Sequence, residues 1–387
     1  MNKTNILKSA VIAAALFSAA GCSDWMTPEP KVFDEYSLTE VARDDAYYAA
    51  LREWKKTDHA VSFGWYDGWG EGSASTANML SSVPDSMDII SLWGGYDNLS
   101  RGKMEDLKFV TEVKGTKVII CSFVANIGDF YTPAEHSATQ EDREAYWGWV
   151  DGDDEAIHES IRKWTKAIAD TLNYYGLSGM DIDYETAEYG GKLCRSSQYF
   201  TWFVEEMGKY IGPQSGTDKI FILDGYIESL VNKESLHKYF NWFVSQAYTW
   251  GSTYGDSMLE GRLSRYYSAY SSWYSEEEFT NKLIVTENLE SAIDCLNGGY
   301  YWRCDETGGI WDKDLMPSYM GFASWQPDNG FRKGGFGAYK FSGERNNTPP
   351  YKWLRKAIQQ QNPSNGYVPI TYEDFVADDG KANSITK

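Results

Sequence analysis

The chain has 387 residues, of which 56 are acidic and 36 basic, and its formal net charge of −20 argues against nucleic acid as a natural partner. Aromatic residues make up 16% of the chain, and their flat rings suit both core packing and contact with the faces of sugar rings. The length exceeds that of a typical domain but is within the range of one α/β barrel with long loops.

The first 21 residues are typical of an export signal. Lys3 and Lys8 precede an apolar run at 10–20, which is too short to span a bilayer permanently, and the run is followed by Gly21 and Cys22. This ending resembles the lipobox of bacterial lipoproteins. The resemblance implies acylation of Cys22 and an exported lipoprotein of the outer membrane, exposed at the cell surface and touching the membrane only through its lipid anchor. The alternative is an ordinary secretory signal.

The remainder of the chain divides into three parts by composition. Residues 22–40 are polar and contain two prolines, which is typical of a tether. A single folded domain is predicted at 41–362, and residues 363–387 are predicted to form an irregular tail.

Within the predicted domain, runs rich in Val, Ile and Phe alternate with stretches of helical or loop character, which is the pattern of repeated β-α units. Eight strands are predicted, at 59–65, 87–93, 117–123, 179–184, 219–224, 242–247, 282–286 and 335–340. Eight strands close a barrel, so the predicted fold is a (β/α)8 TIM barrel of the α/β class.

Helices are predicted from the spacing of apolar residues. The clearest runs from about Ile157 to Leu172, with Gly176 as its stop, and a second carries Phe200 to Ile211 on one face. The Tyr-rich and Ser-rich region 251–279 favours a loop excursion with short helices. The last helix is predicted to end within 357–361.

The cysteines and histidines give no metal or cofactor site. Cys295 and Cys304 flank a turn-like Asn-Gly-Gly and could close a small disulfide loop or remain separate thiols. The four histidines are scattered without the spacing that a zinc site needs, so neither a metal nor another cofactor is predicted.

The most informative segment is the fourth predicted strand, where Asp181, Asp183 and Glu185 occupy every second position. Alternation sends all three carboxylates to one side, and their convergence in a poorly solvated site raises at least one pKa. A protonated glutamate at the strand end can then act as a general acid. The alternatives are a solvated strand end or a calcium site, although calcium usually takes its oxygens from a glycine-containing loop.

Residues 178–185, Ser-Gly-Met-Asp-Ile-Asp-Tyr-Glu, resemble the D-G-x-D-x-D-x-E signature of family 18 glycoside hydrolases, which lies on the fourth strand of a (β/α)8 barrel. The resemblance implies that Glu185 is the acid and base, that Asp183 orients the substrate's acetamide, and that Asp181 supports Asp183. Ser178 stands where the signature has its first aspartate, at the end furthest from the reacting group.

The sixth strand ends in Ser-Gln-Ala-Tyr248, which is similar to the family segment that supplies a tyrosine hydroxyl to the developing oxazolinium ring. The resemblance implies a catalytic role for Tyr248, with a packed aromatic as the alternative, and alternation places Gln246 on the same face for substrate binding. Tryptophans near strand ends or in loops are predicted either to stack on sugar rings or to seal the barrel: Trp65, Trp69, Trp93, Trp250 and Trp325.

Two features favour the endo-β-N-acetylglucosaminidase branch, which cleaves the GlcNAc-β1,4-GlcNAc core of N-linked glycans. The third strand ends in Cys121-Ser-Phe-Val124 where chitinases carry Ser-x-Gly-Gly, and the eighth has no clear floor tryptophan. The resemblance implies a glycan substrate and a retaining mechanism in which the substrate's acetamide attacks its own anomeric carbon. The alternatives are a chitinase and a non-catalytic surface glycan-binding protein; the presence of Glu185 favours an enzyme.

Overall fold

The computed structural model describes residues 43–71, 75–249, 254–304, 309–310 and 316–371. The predicted signal, Cys22, the tether, Trp250 and most of the predicted tail therefore lie outside the described residues. No helix among the described residues is long and apolar enough to cross a membrane.

Eight parallel strands close into a barrel, and a small separate sheet is formed by three short strands, β7, β9 and β10. The strands are β1 (Val61–Tyr66), β2 (Ile89–Leu92), β3 (Lys117–Ser122), β4 (Gly179–Tyr184), β5 (Ile220–Gly225), β6 (Trp242–Gln246), β7 (Tyr254–Gly255), β8 (Leu283–Asn288), β9 (Trp302–Cys304), β10 (Gly309–Ile310) and β11 (Gly335–Tyr339). The barrel strands follow one another in chain order, and β11 closes against β1. The predicted (β/α)8 barrel is confirmed, and each predicted strand overlaps an observed one.

The helices of the described residues pack around the barrel or extend its loops. They are α1 (Asp45–Lys55), α2 (Arg101–Lys108), α3 (Gln140–Trp147), α4 (Asp154–Tyr175), α5 (Thr186–Tyr189), α6 (Lys192–Arg195), α7 (Ser197–Met207), α8 (Lys233–Leu236), α9 (Asp256–Tyr270), α10 (Glu276–Thr280), α11 (Ala292–Asn297), α12 (Ser318–Ser324) and α13 (Lys352–Gln361). The helix predicted before the fourth strand is confirmed as α4, and it ends at Gly176, whose φ of 74° is left-handed.

Two layers of apolar residues hold the strands in place. Inward-facing side chains such as Phe63, Ile119 and Ile222 form a small core inside the barrel. The alternate positions, such as Met180 and Ile182, belong to a larger core between the strands and the helices. The period of two in each strand therefore separates the interior of the barrel from its surroundings, and it also decides where a polar side chain on a strand points.

The prediction of a loop excursion at 251–279 is wrong for the part that the structure describes. Helix α9 is continuous over 15 residues there. Its buried residues, Leu259, Leu263, Tyr266 and Tyr270, recur at spacings of three and four, so one face packs on the barrel although the composition is rich in Ser and Tyr.

Cys295 is a free, buried thiol and does not form the disulfide that the sequence allowed. Its Sγ donates a hydrogen bond to the carbonyl of Leu289 at 2.8 Å. The side chain of Cys304 lies outside the described residues.

Candidate active site

Glycines allow the paired strands β4 and β5 to approach each other closely at both ends. Gly179 begins β4 with a φ of 147°, and a Cβ there would lie 1.9 Å from the carbonyl oxygen of Ile220. Gly225 ends β5 with a φ of 86° beside the backbone of Tyr184. The resulting register pairs Asp183 with Asp224.

Asp181 forms the base of the site and is fully buried. Its Oδ2 accepts hydrogen bonds from the indole Nε1 of Trp65 at 2.9 Å and from the hydroxyl of Ser91 at 3.0 Å. Burial raises the pKa of Asp181 to about 6, although these donors pull it down. Two donors on one oxygen fix the carboxyl in a single orientation.

Asp183 lies one step nearer the barrel mouth and is 3% exposed. Its Oδ1 accepts a hydrogen bond from the Gln246 amide at 3.0 Å. Burial raises the pKa of Asp183 well above its usual range, and the charges of Glu185 and Asp181 raise it further. Asp183 is therefore an oriented acid that has no salt-bridge partner among the described residues.

Asp224 is a third buried acid, which the sequence analysis did not select as a site residue. The same Gln246 amide donates to its Oδ1 at 2.7 Å. Burial raises its pKa well above the usual range, as do the charges of Asp181 and Asp183. The available signal was its position at the end of the fifth predicted strand, in phase with the inward-facing Ile222. A single acid without a motif did not stand out.

Glu185 follows β4 directly and is partly exposed at the mouth. Burial raises its pKa, and the nearby charge of Glu188 adds to the rise, whereas a hydrogen bond with Gln246 lowers it. Glu188 itself accepts a hydrogen bond from the hydroxyl of Tyr226 at 2.9 Å. An acid that is reachable from outside and holds its proton more strongly than usual is suited to proton donation.

Tyr248 lies just beyond β6, beside the acids. Burial raises the pKa of its hydroxyl well above the usual range, and the charges of Asp224 and Asp183 contribute, so the hydroxyl remains protonated. Arg262 holds the backbone of this segment through a 3.2 Å hydrogen bond to the Tyr248 carbonyl. The structure thus brings Tyr248 and Gln246 together with the three acids of the predicted motif, while their chemical roles remain predictions.

An arc of aromatic rings lines the mouth, formed by Tyr248, Tyr339, Trp93, Phe123 and Tyr189. Ring centroids are 6.4 Å apart for Tyr248 and Tyr339, 5.3 Å for Tyr339 and Trp93, 5.6 Å for Trp93 and Phe123, and 4.5 Å for the stacked pair Phe123 and Tyr189. Tyr189 is 55% exposed at the outer end of this aromatic arc. The arc offers ring faces and edges beside the acids, a surface that suits sugars.

Three of the predicted sugar-stacking tryptophans are buried instead. Trp65 is 1% exposed and supports Asp181, while Trp325 is 2% exposed, lies in the outer core, and donates its Nε1–H to Glu260 at 2.8 Å. Trp69 donates to Asp106 at 2.9 Å. Burial therefore favours the packing alternative over sugar stacking for these residues, because each indole N–H binds a carboxylate inside the fold.

One arrangement of the described residues could be considered for a cation. The Sγ of Cys121 and one oxygen each of Asp183 and Asp224 lie within 4.8 Å of one another. However, the Gln246 amide already donates to both acids, and a donor N–H in this position opposes a cation. We assign these acids to proton chemistry, and the absence of a metal cofactor stays a prediction.

Comparison with known proteins gives one family. A family model described as glycoside hydrolase family 18, BT1044-like, matches residues 27–360. Endo-β-N-acetylglucosaminidase F2 of Elizabethkingia meningoseptica is 27% identical over 340 residues, covering 81% of this chain and 85% of the relative.

Solved structures give the same architecture. A glutamate-to-glutamine variant of BT1044 superposes with a TM-score of 0.68 at 29% identity, covering 85% of this chain and 95% of that one. An endo-β-N-acetylglucosaminidase from Cordyceps militaris shares the fold, with a TM-score of 0.55 at 19% identity over 83% of this chain and 97% of its own.

Proposed function

The chain belongs to glycoside hydrolase family 18 and is a glycoside hydrolase, and we propose that it cleaves N-linked glycans between the two core GlcNAc residues. The observation that carries this proposal is the layered arrangement of acids, in which a partly exposed Glu185 lies above the buried, oriented Asp183. Because Asp183 is buried and bound by Gln246, it is suited to binding a substituent of the sugar rather than to attacking the anomeric carbon.

In the proposed mechanism, the acetamide oxygen of the substrate attacks its own anomeric carbon while Glu185 protonates the leaving oxygen. Asp183 accepts a hydrogen bond from the acetamide N–H and stabilises the positive charge that develops on the oxazolinium ring. The Tyr248 hydroxyl, which remains protonated, donates to the acetamide oxygen. Glu185 then takes a proton from water, which opens the ring with overall retention of configuration.

Two observations favour N-glycans over chitin as the proposed substrate: one residue of the site and one relative. Cys121 occupies the barrel interior at the end of β3, where chitinases carry a serine, and its thiol faces Asp183 and Asp224. The relative from Elizabethkingia meningoseptica bears the name of an endo-β-N-acetylglucosaminidase. The aromatic arc is compatible with either substrate, so chitin oligomers form the second arm of the test.

The test is mass spectrometry of the products from a mixed pool of N-glycoproteins. The expected result is release of glycans that lack one core GlcNAc, leaving a single GlcNAc on each asparagine, with the β-anomer formed first. Glu185→Gln should lower kcat by about 10²–10⁴-fold, because the amide cannot donate a proton to the leaving oxygen. Cleavage of chitin oligomers alone would favour a chitinase, and tight glycan binding without turnover would favour the non-catalytic alternative.

We also propose that the protein is exported and anchored by a lipid on Cys22. The proposal rests on the signal and Gly-Cys ending of residues 1–22. Metabolic labelling with a fatty acid should mark the wild type and not a Cys22→Ala variant. Surface exposure is checked by protease treatment of intact cells; label that persists in the variant would contradict the anchor.

A further inference from the structure

The acids inside the barrel mouth form a group without recorded cationic partners. Asp181, Asp183 and Asp224 are all more than nine-tenths buried. The donors that bind them among the described residues are neutral: Trp65, Ser91, Gln246 and the Cys121 thiol. Three ionised carboxylates in such a space would repel one another strongly, so the group must hold at least one proton.

Two carboxyl oxygens that lack a hydrogen-bond donor indicate where that proton lies. Asp181 Oδ1 and Asp224 Oδ2 are buried and accept no hydrogen bond from an amide, indole or hydroxyl group. The carboxyls of Asp181 and Asp224 are nevertheless hydrogen-bonded to each other. A single proton between these two side chains supplies the donor that both oxygens lack, and it removes one of the charges.

The proton belongs on Asp224 rather than on Asp181. Asp181 Oδ2 accepts two hydrogen bonds, from Trp65 and Ser91, and both favour its ionised form. Asp224 accepts one, from Gln246, and the charges of Asp181 and Asp183 oppose its ionisation. The environment therefore stabilises a charge on Asp181 better than on Asp224.

We propose that Asp224 is a positioning residue: as the neutral acid of the group it donates to Asp181 and, through the shared Gln246 amide, keeps Asp183 aligned for the acetamide. Gln246 uses its amide for both acids, at 2.7 Å to Asp224 and 3.0 Å to Asp183. An ionised Asp224 would repel the carboxylates that it now binds. The consequence for turnover rests on the proposed function, whereas the protonation itself does not.

Loss of this proton should lower activity at alkaline pH, in addition to the loss of the Glu185 proton that the general acid needs. The groups that face Asp224 are Asp181 and Asp183 on β4, Cys121 on β3, Gln246 on β6, and Tyr248 just beyond β6. None of these is a cation, so a new negative charge on Asp224 would not be compensated. The acids would separate, and kcat would fall as the pH rises.

Two substitutions at one position test this inference. In Asp224→Asn, the amide can donate permanently to Asp181 and accept from Gln246, so we expect kcat at neutral pH within about tenfold of wild type and a less steep fall of kcat at alkaline pH. Asp224→Ala removes both bonds and should lower kcat by about 10²-fold with KM nearly unchanged. Melting curves and circular dichroism establish that each variant folds.

A second measurement does not depend on turnover. Infrared difference spectra at neutral pH should show the carbonyl stretch of a protonated carboxyl in the wild type that is absent from Asp224→Asn. Glu287→Gln is the matched control: Glu287 is a fully buried acid whose pKa is raised to about 7, but it binds Ser318 outside the barrel. This control should lose a carboxyl signal while keeping the wild-type pH profile of kcat.

Several outcomes would overturn the role of Asp224. These are equal loss of kcat in a folded Asp224→Asn and Asp224→Ala, an unchanged alkaline limb in Asp224→Asn, no carboxyl signal assigned to Asp224, or one stoichiometric metal ion bound at Cys121, Asp183 and Asp224. A wild type that cleaves no glycan would refute the proposed function, and the infrared comparison would still decide the protonation of Asp224. If the alanine variant fails to fold, the asparagine variant and the spectra decide the question.

Discussion

Two groups of buried carboxyls in this barrel differ in what surrounds them. Asp181, Asp183 and Asp224 lie inside the barrel near its mouth and affect one another's pKa. Glu287 and Glu344 are also fully buried, but they belong to separate parts of the structure outside the barrel interior, and each is bound by neutral donors.

The outer acids are structural. Glu344 accepts hydrogen bonds from the backbone N–H groups of Trp353 at 2.9 Å and Leu354 at 3.3 Å, where α13 begins. Glu287 accepts one from the backbone N–H of Asn288 at 2.7 Å and another from Ser318. Each acid therefore satisfies donors that would otherwise be buried without a partner.

Burial raises the pKa in both groups, to about 8 for Glu344 and about 7 for Glu287. A raised carboxyl pKa is therefore not in itself a sign of chemistry in this protein. The inner group is distinguished by the convergence of its acids beneath Glu185, where a ligand can enter. Substitutions in the two groups should accordingly affect different quantities.

Among substitutions of the buried acids, the largest expected effect is that of Asp183→Asn. The amide keeps the shape of the side chain but cannot balance the charge of the oxazolinium, so kcat should fall by about 10²–10³-fold with little change in KM. Kinetics on a purified glycoprotein measure both constants. Glu344→Gln serves as the outer control and should leave kcat unchanged. The role of Asp183 would be contradicted if Asp183→Asn weakened substrate binding, seen as a higher KM, as much as it lowered kcat.

The next effect concerns the dependence of stability on pH, and it is measured at the outer acids. The pKa of Glu344 is raised from 4.5 to about 8, so the folded state holds one more proton than the unfolded state between these values. The free energy of unfolding should therefore fall as pH rises through this window, by about 1.4 kcal/mol per pH unit, and level off above it. Glu344→Gln cannot titrate and should lose this part of the slope.

Urea unfolding at several pH values gives the slope for each variant. Glu287→Gln should flatten it as well, over the narrower window that ends at about 7. Glu234→Gln, at an exposed position of α8, provides the surface control and should retain the wild-type slope. If the free energy of unfolding of Glu344→Gln changed with pH as it does in the wild type, the role assigned to Glu344 would be contradicted.

The same two groups show how far the sequence could lead. Alternation along one strand was enough to place Asp181, Asp183 and Glu185 on one face, because a period of two is a local property. Asp224 joins Asp183 only through the pairing of β4 with β5, and that register depends on closure of the barrel. Strand positions could be predicted from local pattern, whereas contacts between strands could not.

The tryptophans illustrate a second limit. Their positions near strand ends suggested exposure, but an indole turns toward whichever acceptor the tertiary structure offers, and sequence spacing does not reveal that acceptor. The indole of Trp65 donates a hydrogen bond to Asp181, which is 116 residues away along the chain. The indole of Trp325 donates to Glu260, at a separation of 65 residues. The aromatic arc was likewise hidden, because its rings come from five different strand ends and loops.

The smallest expected effect compares these two indoles. Trp65→Phe removes one of the two donors to Asp181, and Trp325→Phe removes the donor to Glu260, at nearly equal distances of 2.9 and 2.8 Å. Both variants should lose about 1–3 kcal/mol in the free energy of unfolding. Only Trp65→Phe should also lower kcat, by about tenfold, because Asp181 Oδ2, beneath Asp183, then keeps only the hydrogen bond from Ser91.

Paired melting curves and kcat measurements on these two variants separate a hydrogen bond that stabilises the fold from one that also aligns the site. The pH profile adds a further criterion, since a weaker charge on Asp181 should move the kcat profile of Trp65→Phe and leave that of Trp325→Phe unchanged. Equal kcat values in the two variants would mean that Asp181 is held well enough without its indole partner. The inner acids would then differ from the outer ones in position alone, and not in the precision with which they are held.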